Sequence, residues 1–417
     1  MAEQVAEPAG RHAAEPEEAG TEETGTEGAG AEGAGAEGAG AVREFAFSEE
    51  HEELRRTVRR FCAEHAGEGE ARRLMESPLG HDRTVWSRLG SELGVLGLPV
   101  PAEHGGTGGD LVASAVAFEE MGAGLLCGPL LGTVALAAPA LTALAAGRPD
   151  DLLSRLAEGA DVAAFAVPDR GGRYDPEAVE VTAEETPAGW RLNGVVTHVV
   201  DGLAADVLLV AGRHAEGVSL FRVDGAADGL GREAMSTMDL TRRQAEIVLR
   251  DCPARLLAAP PETAAACAHA FRVGAVLLAA EQAGGARHLL ELSVRYARDR
   301  IQFGRPVGSF QAVKHRLADM LVAVEHARST AYHAAWALQY GTDDPDLAAA
   351  LAKAYCSEAY QRVAADAMQV HGGIAFTWEH QIHLYFKRAV TNAALLGGPA
   401  AQRDRIAELV LDGRTAS

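Results

Sequence analysis

The sequence predicts an α+β protein in which a helical region, a β-rich region and a second helical region follow one another. Apolar residues recur at helical spacing from residue 43 to about 160 and again from 256 to 417, whereas short β-branched runs separated by turn residues lie between them. The chain has 417 residues, of which 47% are hydrophobic, so it is long enough to bury an extensive apolar core.

The first 42 residues differ from the rest of the chain in composition. They contain ten Glu, one Arg and a repeated Ala-Glu-Gly-Ala-Gly unit, with almost no large apolar side chain. Such a segment cannot bury enough apolar surface to offset the conformational entropy lost on folding. We expect residues 1–42 to form a disordered acidic tail that solvates the chain without a specific function.

The N-terminal helical domain, residues 43–160, begins with a recognisable cap. Ser48 followed by Glu49 places an N-cap oxygen and an acidic first turn at the start of a helix, and Leu54 and Val58 then recur on one face. The sequence therefore predicts that helical order starts near residue 45.

An apolar stretch from Leu125 to Gly147 raises the question of a membrane span. Its two prolines, Pro129 and Pro139, and its high Ala and Gly content favour helices buried in protein over a lipid-facing helix. The N terminus also lacks a basic region followed by an apolar run, so we expect neither a secretory signal nor membrane insertion.

The central β domain, residues 161–255, contains runs such as ADVLLVAG and GVSLFRVDG that are typical of short strands. After Pro260 and Pro261, long Ala- and Leu-rich helical periods return and continue to the end of the chain. Residues 256–417 are therefore predicted to form a helical bundle.

Net charge and cysteine content narrow the classes of function. The formal charge of −21 would repel a phosphate backbone over most of the surface, so we expect no nucleic acid partner. The five cysteines are scattered without Cys-x-x-Cys spacing, which argues against a disulfide framework or a structural zinc site and favours a cytoplasmic location.

Two C-terminal segments mix helical periodicity with glycines and polar groups that a plain helical bundle would not need. The first, starting at Tyr296, reads YARDRIQFGRPVGSFQAVKHRLADM, and the second, starting at Asp366, reads DAMQVHGGIAFTWEHQIHLYFKRA. An Arg followed by a Gly-bearing turn can supply the positive charge and the backbone N–H donors that a pyrophosphate requires. Arg300 is the natural candidate for that role.

These segments resemble the acyl-CoA dehydrogenase family, and the resemblance extends over nearly all of residues 43–412. Residues 300–306 are similar to the family's R-x-x-F-G-x-P turn, and residues 369–373 to its Q-x-x-G-G turn. The resemblance implies a helical N-terminal domain, a central β domain and a C-terminal four-helix bundle. It also implies FAD as the cofactor and a dimer or tetramer, because FAD sites in the family straddle subunits.

The resemblance also assigns residues to the FAD site, in two groups and one outlying position. The residues it implies are Arg300, Gln302, Phe303, Gly304 and Gln311 in the first group, Gln369, Gly372 and Gly373 in the second, and His198 where an aromatic ring often covers the flavin. Taken singly, such an Arg is a surface charge and such glycines are helix stops. Their occurrence together and in order favours cofactor contact.

The chain departs from the family at the catalytic base. Members remove the substrate's α-proton with a Glu near the C terminus, and the matching position here is Gly397. Some relatives place the Glu on the first helix of the C-terminal domain, and the position that corresponds to it lies near Gly274. Neither residue can accept a proton.

Glu281 is the best substitute base that the sequence offers. It interrupts the apolar run LLAAEQAGG, where desolvation is expected to raise the pKa of a carboxyl towards the range useful to a base. The alternative is that Glu281 points to a helical neighbour or to solvent and is paired with an Arg. Arg272, on the same helix, either binds substrate or pairs with a carboxylate.

Three histidines near the second segment raise the possibility of a metal site. His371 comes first, and His380 and His383 form a pair that shares a helix face, but no third ligand stands at a recognisable spacing from that pair. We expect solvated or packing histidines and no metal.

Three functions remain open at this stage. The first is FAD-dependent α,β-dehydrogenation of an acyl-CoA or another acyl thioester, with electrons passed to an electron-transfer flavoprotein. The second is a base-lacking subunit of a heteromeric acyl-CoA dehydrogenase, in which a paralogous subunit supplies the carboxylate. The third is a related flavin-dependent monooxygenase or oxidase, whose chemistry requires no Glu base because reduced flavin reacts with oxygen.

Overall fold

The N-terminal region is helical, as its sequence predicts. The computed structural model describes residues 46–108, 110–145 and 151–412, and the acidic tail predicted over residues 1–42 lies outside them. The helices are α1 (Glu49–His65), α2 (Glu68–Met75), α3 (Arg83–Ser91), α4 (Leu111–Ala123), α5 (Ala138–Leu144) and α6 (Leu152–Ala157), with a π-helical segment over Leu130–Ala137. The Ser48 side chain caps α1 by accepting a hydrogen bond from the backbone N–H of His51 at 3.2 Å, which confirms the predicted cap.

The central region is a seven-stranded sheet with a separate small hairpin. The strands are β1 (Ala163–Ala166), β2 (Asp169–Arg170), β3 (Arg173–Tyr174), β4 (Thr182–Thr186), β5 (Gly189–Val200), β6 (Val207–His214), β7 (Gly217–Asp224), β8 (Leu230–Ala234) and β9 (Gln244–Ala258). The sheet order is β1-β6-β4-β5-β9-β7, with β8 paired to β9. Because β7 also pairs with β6, five of these strands close into a ring around buried aliphatic side chains.

The C-terminal region consists of long helices joined by short connections. They are α7 (Pro260–Asp299), α8 (Gln311–Tyr340), α9 (Pro345–His371), α10 (Ile382–Ala394) and α11 (Pro399–Asp412), and a hairpin of β10 (Ile301–Gln302) and β11 (Arg305–Pro306) joins α7 to α8. Helix α7 begins immediately after β9 because Pro260 and Pro261 occupy its first turn, where their missing N–H groups cost nothing. Strand β9 reaches Ala258, slightly beyond the predicted domain boundary at residue 255.

Helix α7 lies at the centre of the molecule. Of the helices in the described residues, α7 is the one that is long and apolar enough to cross a membrane by length and composition alone. Its most apolar window of 18 residues is, however, 72% buried in the protein. A Cβ atom at Gly284 would lie only 1.8 Å from the backbone oxygen of Glu119, so α7 and α4 are in backbone contact. The apolar segment around Leu130–Leu141 is buried as well, in agreement with the prediction that it belongs to the core.

Candidate functional site

The turn after α7 and the C-terminal end of α9 share a cavity of about 510 Å³. Four of the residues predicted to contact a cofactor line it: Arg300, Gln302 and Phe303 from the turn, and Gln369 from α9. Gln311 lies between Phe310 and Ala312, which also line the cavity, at the start of α8. Gly304 follows the lining residue Phe303 directly. The fold thus brings two motifs, about seventy positions apart in the sequence, to one surface.

The β10–β11 turn directs an aromatic ring out of the protein. Phe303 and Gly304 both have positive φ angles, 52° and 72° respectively, and such a conformation is unfavourable for a Phe residue. The Phe303 side chain is 91% exposed and meets Phe310 edge-on, at 6.2 Å between ring centroids. An exposed ring in a strained turn indicates a contact with a group outside this chain.

The same surface fits an anionic cofactor. Arg300 is exposed, and its guanidinium forms no ion pair or hydrogen bond with any residue in the described part of the chain. A Cβ atom at Gly372 or Gly373 would meet nothing within 4 Å, so there is open space beside the turn that follows α9. A free guanidinium beside open backbone matches the pyrophosphate-bearing cofactor that the sequence resemblance implies.

Tyr296, which the sequence reasoning missed, connects the two halves of this surface. Its hydroxyl donates a hydrogen bond to the backbone oxygen of His371 at 3.3 Å, and the two rings lie 4.3 Å apart. The backbone carbonyl oxygen of Tyr296 also accepts a hydrogen bond from the backbone N–H of Arg300. Its position one helical turn before Arg300 is the signal that could have identified it.

His371 is packed rather than solvated. It is buried, Nδ1 lies 2.9 Å from the carbonyl oxygen of Ala367, and Nε2 has no hydrogen-bond partner within the described residues. Burial lowers the pKa of His371, which keeps the ring neutral. In residues 46–108, 110–145 and 151–412, no three His, Cys, Asp or Glu side chains are grouped so that they could hold a metal ion.

His198 lies outside this cavity. It is exposed on β5, with a φ of 59°, where the pairing of β5 with β9 is irregular between Val196 and Val199. Its backbone N–H approaches the sulfur of Met235 at 3.2 Å. The contact between His198 and a flavin stays a prediction.

The predicted raised pKa of Glu281 is wrong. The carboxylate is buried and accepts two hydrogen bonds from Arg242 at 2.6 Å, one from Arg388 at 2.9 Å and one from Asn392 at 3.0 Å. Burial acts to raise the pKa of Glu281, but the two guanidinium groups and the hydrogen bonds outweigh it and lower the pKa to about 2. A carboxylate held in this way is a poor base.

Glu281 instead belongs to a buried ionic cluster that joins the β region to the bundle. Arg388 of α10 also binds Asp239 at 2.9 Å and donates to the Thr241 backbone oxygen at 2.8 Å. Both residues lie on the segment between β8 and β9, whereas Glu281 lies on α7. The cluster therefore ties three parts of the chain together.

The two positions where the family carries its base differ in how much space they leave: Gly397 is blocked by backbone, whereas Gly274 is crowded mainly by the ends of leucine side chains. A Cβ atom at Gly397 would lie 2.2 Å from the backbone oxygen of Gly171, in the turn of the β2–β3 hairpin. Gly397 also has a φ of 78°, which an L side chain rarely adopts. A Cβ at Gly274 would lie 2.7 Å from a methyl group of Leu136. No carboxylate fits at residue 397 without displacement of the hairpin backbone.

A lysine, and not a carboxylate, lies beneath Gly397. Lys353 of α9 is fully buried, and its Nζ donates to the backbone oxygens of Gly397 at 3.1 Å and Ala393 at 3.3 Å and to the hydroxyl of Ser357 at 3.0 Å. Burial lowers the pKa of Lys353 to about 8. Its hydrogen bonds hold the loop between α10 and α11 in the conformation that receives the hairpin.

Known proteins are similar to this chain over most of its length. The sequence profile for the acyl-CoA dehydrogenase N-terminal domain matches residues 48–160, and the profile for the C-terminal domain matches residues 263–411. "Acyl-CoA dehydrogenase IpdE2" of Mycolicibacterium smegmatis is 39% identical over 359 residues, which cover 86% of this chain and 98% of that protein.

Two solved structures with similar folds each carry a pair of protein names. A variant of the "Tcur3481-Tcur3483 steroid ACAD" is 33% identical with a TM-score of 0.78, and the match covers 88% of this chain and 99% of that one. The "ChsE4-ChsE5 complex from Mycobacterium tuberculosis" is 28% identical with a TM-score of 0.77, with the same coverage of 88% and 99%.

Proposed function

This chain belongs to the acyl-CoA dehydrogenase family, FAD-dependent oxidoreductases that act on CH–CH groups, and on that premise we propose that it is one subunit of a heteromeric enzyme of the family. In this proposal the chain contributes the Arg300 surface to a FAD site shared with a second subunit. The second subunit, a paralogue, supplies the carboxylate that removes the α-proton of the acyl thioester.

The closed position at Gly397 carries this proposal. Backbone atoms of Gly171 occupy the space that a side chain at residue 397 would need, and Glu281 is held by two guanidinium groups. The chain therefore has no carboxylate suited to proton removal at either family position or at the substitute position. A homomeric dehydrogenase based on Glu281 is less consistent with these contacts.

The open cavity at the Arg300 turn is the part of the FAD site that this chain would contribute. Arg300 provides a positive charge for a pyrophosphate, the backbone beside Gly372 and Gly373 leaves room for close approach, and Phe303 offers an exposed ring for an apolar contact. When bound, FAD supplies the acceptor for the hydrogen that leaves the substrate's β-carbon as hydride. We expect the electrons to pass on to an electron-transfer flavoprotein.

The similar structures support a heteromer and suggest a substrate. Both are described by pairs of protein names, and one is described as a steroid enzyme. A steroid-derived acyl-CoA is therefore the first substrate to test beside straight-chain acyl-CoAs.

Purification of the chain with and without a co-expressed paralogue tests the proposal. We expect the flavin spectrum and its bleaching by acyl-CoA only in the co-purified complex, with the base supplied by the partner. Substitution of the partner's aligned Glu by Gln should leave FAD bound and abolish bleaching. A chain that binds FAD alone and is bleached by acyl-CoA would instead be a complete dehydrogenase, and the heteromer proposal would be wrong.

A further inference from the structure

A second cavity, of about 370 Å³, lies where the N-terminal helices meet the C-terminal bundle. Its lining comes from the C-terminal ends of α1 and α4, the C-terminal half of α7 and the start of α10. It shares no lining residue with the cavity at the Arg300 turn. Its volume falls in the range of pockets that hold small molecules.

Two arginines that line this cavity share one buried carboxylate. Arg59 of α1 donates to both oxygens of Glu120, at 2.9 and 3.0 Å, and Arg287 of α7 donates to Oε1 of the same residue at 2.9 Å. Burial acts to raise the pKa of Glu120, but the two guanidinium groups outweigh it and lower the pKa. Glu120 therefore stays ionised, and one negative charge is shared by two positive ones.

The positive excess continues behind Glu120. Arg55 binds Glu119 at 2.6 Å and Glu120 at 3.3 Å, and Arg328 lies 3.3 Å from Glu119. Four guanidinium groups thus contact two buried carboxylates. Two further carboxylates reach the cluster, but both are about half exposed, where ion pairs contribute little: Glu52 at 3.5 Å from Arg55 and Glu291 at 3.4 Å from Arg287.

Both lining arginines keep N–H groups that could bind a ligand. Nη1 of Arg287 reaches only the half-exposed Glu291, at 3.4 Å, and its Nε is buried without a hydrogen bond to any described residue. Nη1 of Arg59 has no partner in the described part of the chain either. Guanidinium groups are well suited to phosphate, which carries nearly two negative charges and several acceptor oxygens.

The lining from α7 and α10 adds neutral polar groups. His288 stacks on Tyr385 at 4.7 Å between ring centroids, and burial lowers the pKa of His288, which keeps its ring neutral. The side-chain oxygen of Gln381 lies 3.1 Å from Nε2 of His288, and its amide nitrogen has no partner within residues 46–108, 110–145 and 151–412. Such groups can bind the hydroxyls of a ligand whose charge lies on the arginines.

We propose that this cavity binds a phosphate dianion, with the phosphate on Arg59 and Arg287. Two sources share this chemistry: free inorganic phosphate, and the phosphate of a small polyol whose hydroxyls contact Gln381. The bound dianion offsets the positive excess of the cluster and links α1 to α7. The proposal does not depend on the heteromeric assembly, because every residue that it uses belongs to this chain.

Calorimetric titration of the full-length chain, in complex with its partner subunit and FAD where they co-purify, tests the site. Glucose 6-phosphate, inorganic phosphate and glucose serve as probes. We expect saturable binding of glucose 6-phosphate and at least tenfold weaker binding of glucose, which lacks the charge. Equal affinities for the two phosphates would assign the site to the free anion. Failure of both phosphates to saturate would overturn the proposal.

Matched arginine variants separate this site from general electrostatic attraction. Arg59 lines the cavity, whereas Arg60 is exposed beside it on the same helix and does not line the cavity. We expect Arg59→Gln to weaken glucose 6-phosphate binding about tenfold, and Arg60→Gln to leave it within about twofold of the wild type. Arg300→Ala should also retain binding, because Arg300 lies on the other cavity. Equal losses in the Arg59 and Arg60 variants would contradict the proposal.

Two further variants test the charge and the location of the ligand. Glu291→Gln should tighten glucose 6-phosphate binding, because it removes a competing carboxylate from Arg287. Ala63 is exposed and lines the cavity, so Ala63→Phe should fill the space from the solvent side and abolish binding, with an unfolding temperature close to that of the wild type. Undiminished binding by a folded Ala63→Phe protein would show that the ligand lies elsewhere.

Discussion

The turn after α9 and the loop before α11 both depend on glycine, but for opposite reasons. At Gly372 and Gly373 a Cβ atom would meet nothing within 4 Å, so the backbone is open to a group from outside the chain. At Gly397 a Cβ atom would lie 2.2 Å from a backbone oxygen of the β2–β3 hairpin, so the chain itself fills the space. Under the proposed function, the first region has room for contact with a cofactor, whereas the second has no room for the side chain that would remove a proton.

This difference separates two functions that a complete enzyme of the family combines. Holding a dinucleotide needs charge and accessible backbone, which a surface turn can supply to a neighbouring subunit. Proton abstraction needs a carboxylate at one defined point, and a single close backbone contact removes it. A subunit can therefore lose the second function while it keeps the first.

The strongest test of the loop before α11 replaces Gly397 with the Glu that the family carries there. Gly397→Glu should destabilise the fold by about 4 kcal/mol or more, or prevent folding, because it combines a backbone clash with a left-handed φ. Denaturant unfolding measures the effect. The matched control is Gly373→Ala, which has open space and should stay within about 1 kcal/mol of the wild type. A stable Gly397→Glu protein would show that the hairpin moves aside.

A substitution in the buried cluster around Glu281 should have the next largest effect on stability. Glu281→Gln should destabilise the protein by about 3–5 kcal/mol, because Arg242 and Arg388 lose a buried counter-charge. Flavin reduction per bound FAD in the heteromer should be unchanged. Loss of reduction at wild-type stability would restore Glu281 as the catalytic base.

The pH dependence of the same variant has a defined sign. The pKa of Glu281 is about 2 in the folded protein, against 4.5 for an unperturbed Glu. A lowered folded-state pKa means that the ionised carboxylate stabilises the fold above pH 4.5 and that this contribution is lost as the pH falls towards 2. The stability difference between wild type and Glu281→Gln should therefore shrink over that window, which unfolding curves at several pH values would measure.

Glu281 also illustrates how far the sequence alone could be interpreted. The order of helical and β regions followed from periodicity, whereas no local pattern predicted that the Arg300 and Gln369 motifs would line one cavity. The apolar neighbours of Glu281 along its helix suggested desolvation, but its partners Arg242 and Arg388 are 39 and 107 positions away. Contacts at such separations, like the hairpin over Gly397, come from tertiary packing and have no local signal.

In the open region, loss of the guanidinium should weaken cofactor binding. Arg300→Ala should lower the affinity of the assembled protein for FAD by about tenfold to a hundredfold, the usual cost of one charge-assisted contact. Fluorescence titration of FAD measures it. Arg298→Ala is the control, since Arg298 is exposed two residues earlier and does not line the cavity. Equal losses in both variants would indicate general electrostatics and not a specific contact.

The smallest expected effect tests whether the open region acts as one unit. Tyr296→Phe removes the hydrogen bond to the His371 backbone oxygen and keeps the ring contact. A hydrogen bond of this type contributes about 0.5–1.5 kcal/mol, so FAD affinity should fall by roughly twofold to tenfold. Tyr296→Ala, which also removes the ring, should cost more, and the double variant Tyr296→Phe with Arg300→Ala should lose less than the sum of the two. We expect this coupling because both residues hold the same turn in place. Fully additive losses would show that Tyr296 and Arg300 act independently.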